Sequence, residues 1–491
     1  MQIAPPVDAP PDIVHDIAPD AAVTISRGGA CSESLACAPG LECLGASLYV
    51  PGGYCASTCA KKNQTCDGAC APMTRYGAVC LQGCTTDADC RAQEGYVCDA
   101  TWRACVTPNS LAIALRSCPA PAPKAIPARD RSFGAPVTLD ARSPIAVVGP
   151  AGVFALPASD RRRAPSLARD RKGILYATWL DPARDNPEVL LSRSRDGGTT
   201  WSEPDRVDDP ADCIAYDTRR GDCLAEPTVV IGPNPEIKGD EVVYVLYGAA
   251  DGLRVRSSRD EGATFRAAVT ALPGTIASAE VSADGALHVI AIESLSGIGV
   301  FGSANHQINY SVSRDVGRTF ARPIRLDRRD ELLPVYFARP QIAIDTRRRS
   351  IYALYVRGGR DGIWDLMLLA SKDAGATWKR TRIGDEPACA IHMVPQLALD
   401  PARGTLHVAW YDNRGGGRFA HATCTPGAQK CTQHGAINDA PFAMSAERLT
   451  PASIEERATL IVDDKRRTLH AVWAEVTTGG MRVQHASAKL R

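Results

Sequence analysis

The side chains able to do chemistry sit at the margins of short apolar runs. Ser166, Glu226, Glu280, Arg339, His392 and the pair Glu456-Arg457 stand where such runs begin. Asp181 with Arg184, Glu293, Arg357 with Arg360, the stretch Tyr411-Asp412-Asn413-Arg414, and Glu475 stand where others end. Paired carboxylates can divide acid and base roles across a glycosidic bond, and arginines can grip a carboxylate with two parallel hydrogen bonds. Gathered on one surface, these groups would suit binding of an acidic sugar, or its hydrolysis. The segment from Trp410 to Arg414 also has a structural reading, a loop held by Asp–Arg and Asx-turn bonds. His288, His407 and His470 share one position in three similar runs and read as packing residues, whereas His392 falls outside that pattern and stays a ligand candidate. No phosphate-cradling Gly loop, zinc motif, calcium loop or nucleophile elbow occurs, so neither cofactor nor metal is expected.

Composition narrows the classes. The 491 residues carry 56 Lys+Arg against 55 Asp+Glu, a net charge of +1. A nucleic-acid binder needs a clustered basic excess, so no nucleic-acid partner is expected. The runs Arg161-Arg162-Arg163 and Arg347-Arg348-Arg349 read as solvated turns. No apolar stretch approaches the roughly 18 to 20 residues of a spanning helix, so no transmembrane segment is expected. Hydrophobic residues make up 45% but aromatics only 6%, which implies an aliphatic core.

Cysteine divides the chain. Of 18 cysteines, 12 fall between Cys31 and Cys105, a stretch with neither histidine nor a CxxC pair. That density reads as a disulfide scaffold from an oxidising compartment rather than a zinc site. Cys31-x5-Cys37-x5-Cys43-x11-Cys55 is echoed by Cys84-x5-Cys90-x7-Cys98-x6-Cys105, a rhythm that resembles the EGF-like or dickkopf-like units of secreted proteins. Pairing within the module stays open from sequence. Residues 1–28 read as a disordered Pro/Asp-rich tether, 29–118 as the cysteine-rich module, 119–130 as a Pro-rich linker and 131–491 as one β domain. Met1 to Ala22 lacks the basic and apolar regions of a signal peptide. The leader resembles the tether of a bacterial surface lipoprotein, which would put a lipid anchor upstream of the given start and the protein outside the cytoplasm.

The elements that must position the chemistry repeat. Ser194-Arg-Asp196-Gly-Gly198-Thr-Thr200-Trp201 recurs as an octapeptide around Asp260, Gly262 and Phe265, around Asp315, Gly317 and Phe320, and around Asp373, Gly375 and Trp378. This S-x-D-x-G-x-T-[WF] pattern resembles the Asp box, or BNR repeat, of the sialidase-like β-propellers. The Asp carboxylate can accept turn N–H groups and the Gly can take positive φ, so the box is a structural turn. The resemblance implies an all-β, six-bladed propeller, with boxes linking third and fourth strands on the face away from the ligand. A shared preamble, as in Leu175-Tyr-Ala-Thr-Trp179 and Leu469-His-Ala-Val-Trp473, brings the count to six units. The last unit lacks a fourth strand, and Phe133-Gly-Ala-Pro136-Val-Thr-Leu139-Asp140 matches the post-box strand Phe320-Ala-Arg-Pro323-Ile-Arg-Leu326-Asp327. The front of the domain is therefore expected to complete its last sheet, which would remove an exposed edge.

A sialidase of this family implies three clamping arginines, a Tyr nucleophile with a Glu, and an Asp acid/base. The first inner run reads Ala164-Pro165-Ser166-Leu167-Ala168-Arg169, without the family's [FY]-R-I-P motif, and no tyrosine follows Tyr411. Activity would require those groups from other blades, for instance Arg339, Arg357, Arg414, Tyr411, Asp412, Asp181 and Glu226. The leading expectation is a propeller that binds an extracellular glycan or protein without catalysis; the alternative is an exo-sialidase-type glycoside hydrolase with a rearranged site. Outside the module, Cys213 with Cys223, Cys424 with Cys431, and Cys118 with Cys389 are expected as disulfides. Thiol titration of the denatured, unreduced chain should then find no free thiol. A stoichiometric thiol signal would break that assignment.

Overall fold

The computed structural model describes residues 24–32, 35–45, 50, 52–59, 66–73, 77–99, 102–107, 130–138, 146–149, 152–155, 163–181, 187–213, 225–249, 251–294, 306–328, 331, 333, 339–358, 364–383, 392–412, 418–425, 431–439, 458–477 and 480–490. Among them the chain is all-β, broken only by short 3-10 turns such as Asp87–Asp89. None of their helices is long and apolar enough to cross a membrane.

The N-terminal module is held by six disulfides: Cys31–Cys43, Cys37–Cys55, Cys59–Cys70, Cys66–Cys80, Cys84–Cys98 and Cys90–Cys105. Each run of four cysteines thus pairs first with third and second with fourth. The sequence rhythm revealed two such units. The run from Cys59 to Cys80 is a third with the same pairing, hidden because its spacings differ. Residues just before 29 touch this module. Ile25 bridges to Cys37, and Arg27 donates to the Ser57 hydroxyl and the Cys80 carbonyl and pairs with Asp67. Cys118, Cys223 and Cys389 lie outside the described residues. Cys424–Cys431 forms and joins directly opposed residues of neighbouring strands.

After residue 130 the described residues form six antiparallel four-stranded sheets. The first contains Arg163–Arg169, Leu175–Asp181, Glu188–Ser194 and Asp205–Arg206. The second contains Ala225–Pro233, Glu241–Ala249, Gly252–Ser258 and Val269–Leu272. Ile276–Val281, Leu287–Ser294, His306–Ser313 and Ile324–Arg325 make the third, and Gln341–Asp345, Ser350–Gly358, Trp364–Ser371 and Lys379–Ile383 the fourth. The fifth runs His392–Asp400, Thr405–Asp412, Arg418–Cys424 and Cys431–Ala436. The sixth is Thr459–Asp463, Thr468–Thr477 and Gly480–Lys489, completed by Val137–Thr138 from the front of the domain. Val137–Thr138 occupies the place that Ile324–Arg325 takes in the third sheet, as the sequence match required.

The second strands explain why the sheets stack. In Glu241–Ala249, Val243, Val245 and Tyr247 pack with the first sheet, while Val242, Tyr244 and Leu246 pack with the third. Both faces are apolar because both are covered, so the run lacks polar alternation. First strands of consecutive sheets lie side by side. A hairpin the sequence reading missed, Ala146–Gly149 with Gly152–Ala155, lies against the first strands of both the first and the sixth sheets.

All four boxes link third to fourth strands with one bond pattern. At Asp373, Oδ1 accepts the Thr377 N–H (2.9 Å) and the Ser371 hydroxyl (2.8 Å), Oδ2 accepts the Thr377 hydroxyl (2.5 Å), and Ser371 Oγ accepts the Gly375 N–H (2.9 Å). The Thr377 hydroxyl and backbone bonds hold the Asp373 carboxyl down at about 2. Two successive residues take positive φ, including the non-glycines Glu261, Val316 and Ala374. The glycine serves packing as well. Gly262 faces Tyr176 and Leu191, Gly317 faces Tyr244, and Gly375 faces Tyr310, each on the preceding sheet. A Cβ on Gly375, at φ 93°, would lie 2.5 Å from Tyr310 Cε1, whereas one on Gly197, at φ 73°, meets nothing within 4 Å. Gly197→Ala should therefore cost only the backbone strain, about 1 kcal/mol, and Gly375→Ala clearly more, about 2–4 kcal/mol. Urea unfolding midpoints would measure both, and equal losses would refute the latch to the neighbouring sheet.

Candidate functional site

Register decides which residues share an end of the sheets. Leu175, at the start of a second strand, faces Ser194 at the head of a box, and Asp181 at its far end faces Glu188. Ends of second strands and starts of first strands therefore lie opposite the boxes. Asp181, Glu293, Arg357, Tyr411, Asp412 and His392 occupy that end in their sheets. Arg339 lies half-buried just before the fourth sheet's first strand. Arg414, Glu456 and Arg457, with Arg184, Arg360 and Asn413, lie outside the described residues. Glu226 and Glu475 are described by backbone only, within the strands Ala225–Pro233 and Thr468–Thr477.

Glu280 stands elsewhere. It pairs with His288 near the start of a second strand, so it lies toward the boxed end rather than opposite it. The sequence placed Glu280 at a strand margin, but it is strand interior, as is Ser278. Their side chains serve the next sheet: Glu280 Oε2 accepts the Ile344 N–H (2.9 Å) and Ser278 Oγ that of Ile342 (3.3 Å), as Ser166 Oγ accepts that of Val229 (3.1 Å). These bonds satisfy backbone donors on the first strands of the second and fourth sheets. Burial pushes the Glu280 carboxyl up to about 8, against a weaker opposing pull from the Ile344 bond.

At the end opposite the boxes, charges are matched locally. Arg357 donates to Asp365 Oδ2 from Nε (3.2 Å) and Nη2 (2.9 Å), and Arg382 Nη2 stands 2.8 Å from Asp365 Oδ1. Asp365 is buried, so two guanidinium groups balance one enclosed carboxylate. Glu293 accepts the side-chain amides of Gln307 and Asn309 from the adjacent strand. Asp412 accepts the Trp410 indole N–H at 3.1 Å, and His392 Nε2 stands 3.1 Å from the same oxygen, all three side chains being buried. Tyr411 is wholly buried with its ring 5.1 Å from Phe419, and it belongs to the apolar core.

Sequence reasoning missed Asp365, Arg382, Gln307 and Asn309. Asp365 had a usable signal, since folding Ser350–Gly358 onto Trp364–Ser371 sets Arg357 directly across from it. It also missed Tyr355, whose hydroxyl donates to Glu331 Oε2 (2.8 Å) while Arg380 Nη2 reaches both Glu331 oxygens (2.7 Å). A similar set joins Tyr247 to Asp212 (2.8 Å) with Arg254 beside it. In both, burial and the neighbouring carboxylate push the phenol far above its ordinary range, so it stays protonated. The repeat histidines also find partners: His288 with the Tyr310 hydroxyl (2.7 Å), His407 with His421 (3.2 Å) and His470 with His485 (3.1 Å). The cysteine trios near enough to share a metal, Cys31 with Cys37 and Cys43, and Cys84 with Cys90 and Cys105, are committed to disulfides.

No protein-family model matches the chain, and no curated protein does. Similar solved structures include the GH93 α-L-arabinofuranosidase of Fusarium graminearum in complex with arabinobiose, at 17% identity and TM-score 0.43, over 73% of this chain and 98% of that one. A protein of unknown function from Dyadobacter fermentans matches at 12% identity and TM-score 0.42, over 76% of this chain and 100% of that one. The Trypanosoma rangeli sialidase in complex with sialic acid matches at 12% identity and TM-score 0.38, over 75% of this chain and 59% of that one. Likenesses this distant carry no substrate across to this chain.

Glu280 gives a test with a definite sign. Its folded pKa is raised from 4.5 to about 8, so the native state holds a proton that the unfolded state releases as pH rises. Its contribution to stability is fully present below pH 4.5 and is lost as pH climbs toward 8. Glu280→Gln should leave the melting temperature unchanged at acid pH and raise it by several degrees near pH 8. Calorimetry across that range checks this, and parallel melting curves for the two proteins would refute it.

Proposed function

We propose that this chain is an exported, surface-tethered protein whose six sheets are the blades of one closed β-propeller, and that the face opposite the boxes binds a glycan or protein outside the cell without hydrolysing it. The tether would occupy the residues before the module, with a lipid anchor upstream of the given start. The cysteine-rich module (29–118) would act as a stalk or second contact, the segment 119–130 as linker, and 131–491 as the propeller. The disulfides favour an oxidising compartment, and the near-zero net charge speaks against a nucleic-acid partner.

One observation carries the non-catalytic reading. Opposite the boxes, Arg357 and Arg382 are matched by Asp365, and Glu293 is matched by two side-chain amides, an arrangement unlike an open arginine clamp. The tyrosines that do meet a carboxylate are held protonated between sheets, the opposite of an activated nucleophile. A rigid face with internally balanced charge is suited to hold a neutral or weakly acidic glycan by hydrogen bonds.

The second reading is an exo-sialidase or related glycoside hydrolase with a rearranged site. It draws on the Tyr355–Glu331–Arg380 set, which has the residue types such a mechanism uses. Purified, oxidised protein incubated with a fluorogenic sialoside distinguishes the two. The expected result is no turnover above buffer, together with retention of a glycan on an array that weakens about tenfold or more in Arg339→Ala. Turnover that Arg339→Ala abolishes would overturn the binding reading in favour of the hydrolase.

A further inference from the structure

Besides His392, five of the nine histidines, His407, His421, His434, His470 and His485, lie on the fifth and sixth sheets, the two without an Asp box. The segment that passes from one of these sheets to the other, residues 130–138, rests on them. Asp130 donates its N–H to the Ala436 carbonyl (2.8 Å) and accepts at Oδ2 a hydrogen bond from His421 Nδ1 (2.8 Å). His421 Nε2 lies 3.2 Å from His407 Nδ1 with the rings parallel within 5°. Phe133 meets the His421 ring edge-on at 5.2 Å and bridges to Ala488. Val137 and Thr138 then pair with His485 and Gln484 as the sixth sheet's missing strand.

These contacts fix the tautomers. An ionised Asp130 only accepts, so His421 carries its proton on Nδ1 and, when neutral, accepts at Nε2. The proton of the next contact must then sit on His407 Nδ1, which leaves His407 Nε2 bare. That nitrogen is buried and has no hydrogen-bond partner among the described residues. A further proton has no good place. On His421 Nε2 it would confront the His407 proton or drive it over to His407 Nε2, and any proton on His407 Nε2 is buried without an acceptor among the described residues.

We propose that residues 130–138 form an acid-labile clasp, in which the Asp130–His421–His407 relay fastens the strand that completes the last sheet and protonation of its histidines releases that strand. The surroundings sharpen the effect. His421 faces Asp130, His407 and His434, whose ring stacks on it at 5.3 Å and whose Nε2 contacts the Thr423 hydroxyl (2.6 Å). His407 faces Asp400, already paired with Arg467, besides His421, His434 and Asp130. On the receiving strand, His485 stacks on His470 at 5.4 Å, and His470 in turn faces Asp463, Arg466 and Lys489. Burial holds His407 down at about 3 and keeps His421 below its ordinary range despite the pull of Asp130. Both are therefore neutral while clasped and take up protons once released. The clasp is at full strength above pH 6.5 and weakens as pH falls toward 3.

Hydrogen exchange read by mass spectrometry on the full oxidised chain, corrected for intrinsic rates, tests this at about pH 7.5 and about pH 5. Protection of residues 131–138 and 483–490 should fall about tenfold at the lower pH while that of 242–249 stays level. His407→Gln keeps a donor for His421 but does not titrate, and it should remove most of the step. Asp130→Asn should loosen the same peptides already at the higher pH. Equal protection at both pH values, an equal fall in all sheets, or an undiminished step in His407→Gln would each overturn the clasp.

Discussion

A strand that is apolar on both faces has no side to offer water, and that constraint governs the β domain. The second strand Glu241–Ala249 is nearly all buried, its residues divided between two neighbouring cores. No sheet of this kind is stable alone, because a single neighbour leaves one apolar face bare. Such a sheet needs a neighbour on each face, as the second has in the first and third. The sixth sheet likewise takes its fourth strand from Val137–Thr138, since an unfilled place there would leave the edge of Gly480–Lys489 open.

Polar groups make the stacking specific. The Asp box satisfies its own turn, so its carboxylate and hydroxyls ask nothing of the neighbours, while its glycine lets the turn settle on a tyrosine of the preceding sheet. Along the first strands, Ser166, Ser278 and Glu280 reach across to backbone donors of the next sheet. Tyr176, Tyr244 and Tyr352 occupy in three sheets the position that His288, His407 and His470 hold in the others. The two sheets without boxes stack histidines there, and it is these that meet the closing segment.

The end opposite the boxes obeys the same rule of local satisfaction. Buried Asp365 is balanced by two arginines, Glu293 by two amides, and Asp412 by an indole with a histidine near it. Enclosed charges of this kind are tolerated because each has partners within hydrogen-bond reach.

By itself the sequence determined what local chemistry can determine. The box turns were legible because each depends on residues within eight positions, and the strand Val137–Thr138 because its pattern copied Ile324–Arg325. The third disulfide unit escaped because pairing order, not spacing, is what the three units share. Tertiary structure alone decided which polar residues face one another. Glu280 looked like a strand margin and proved to be an inter-sheet acceptor, while Arg357 looked available and proved to be matched by Asp365. The Asp130–His421 contact joins residues separated by 291 positions, and no periodicity or spacing reports such a pair. Turn chemistry acts over a few bonds of chain, whereas charge matching acts through space, so only the folded arrangement of sheets could assign it.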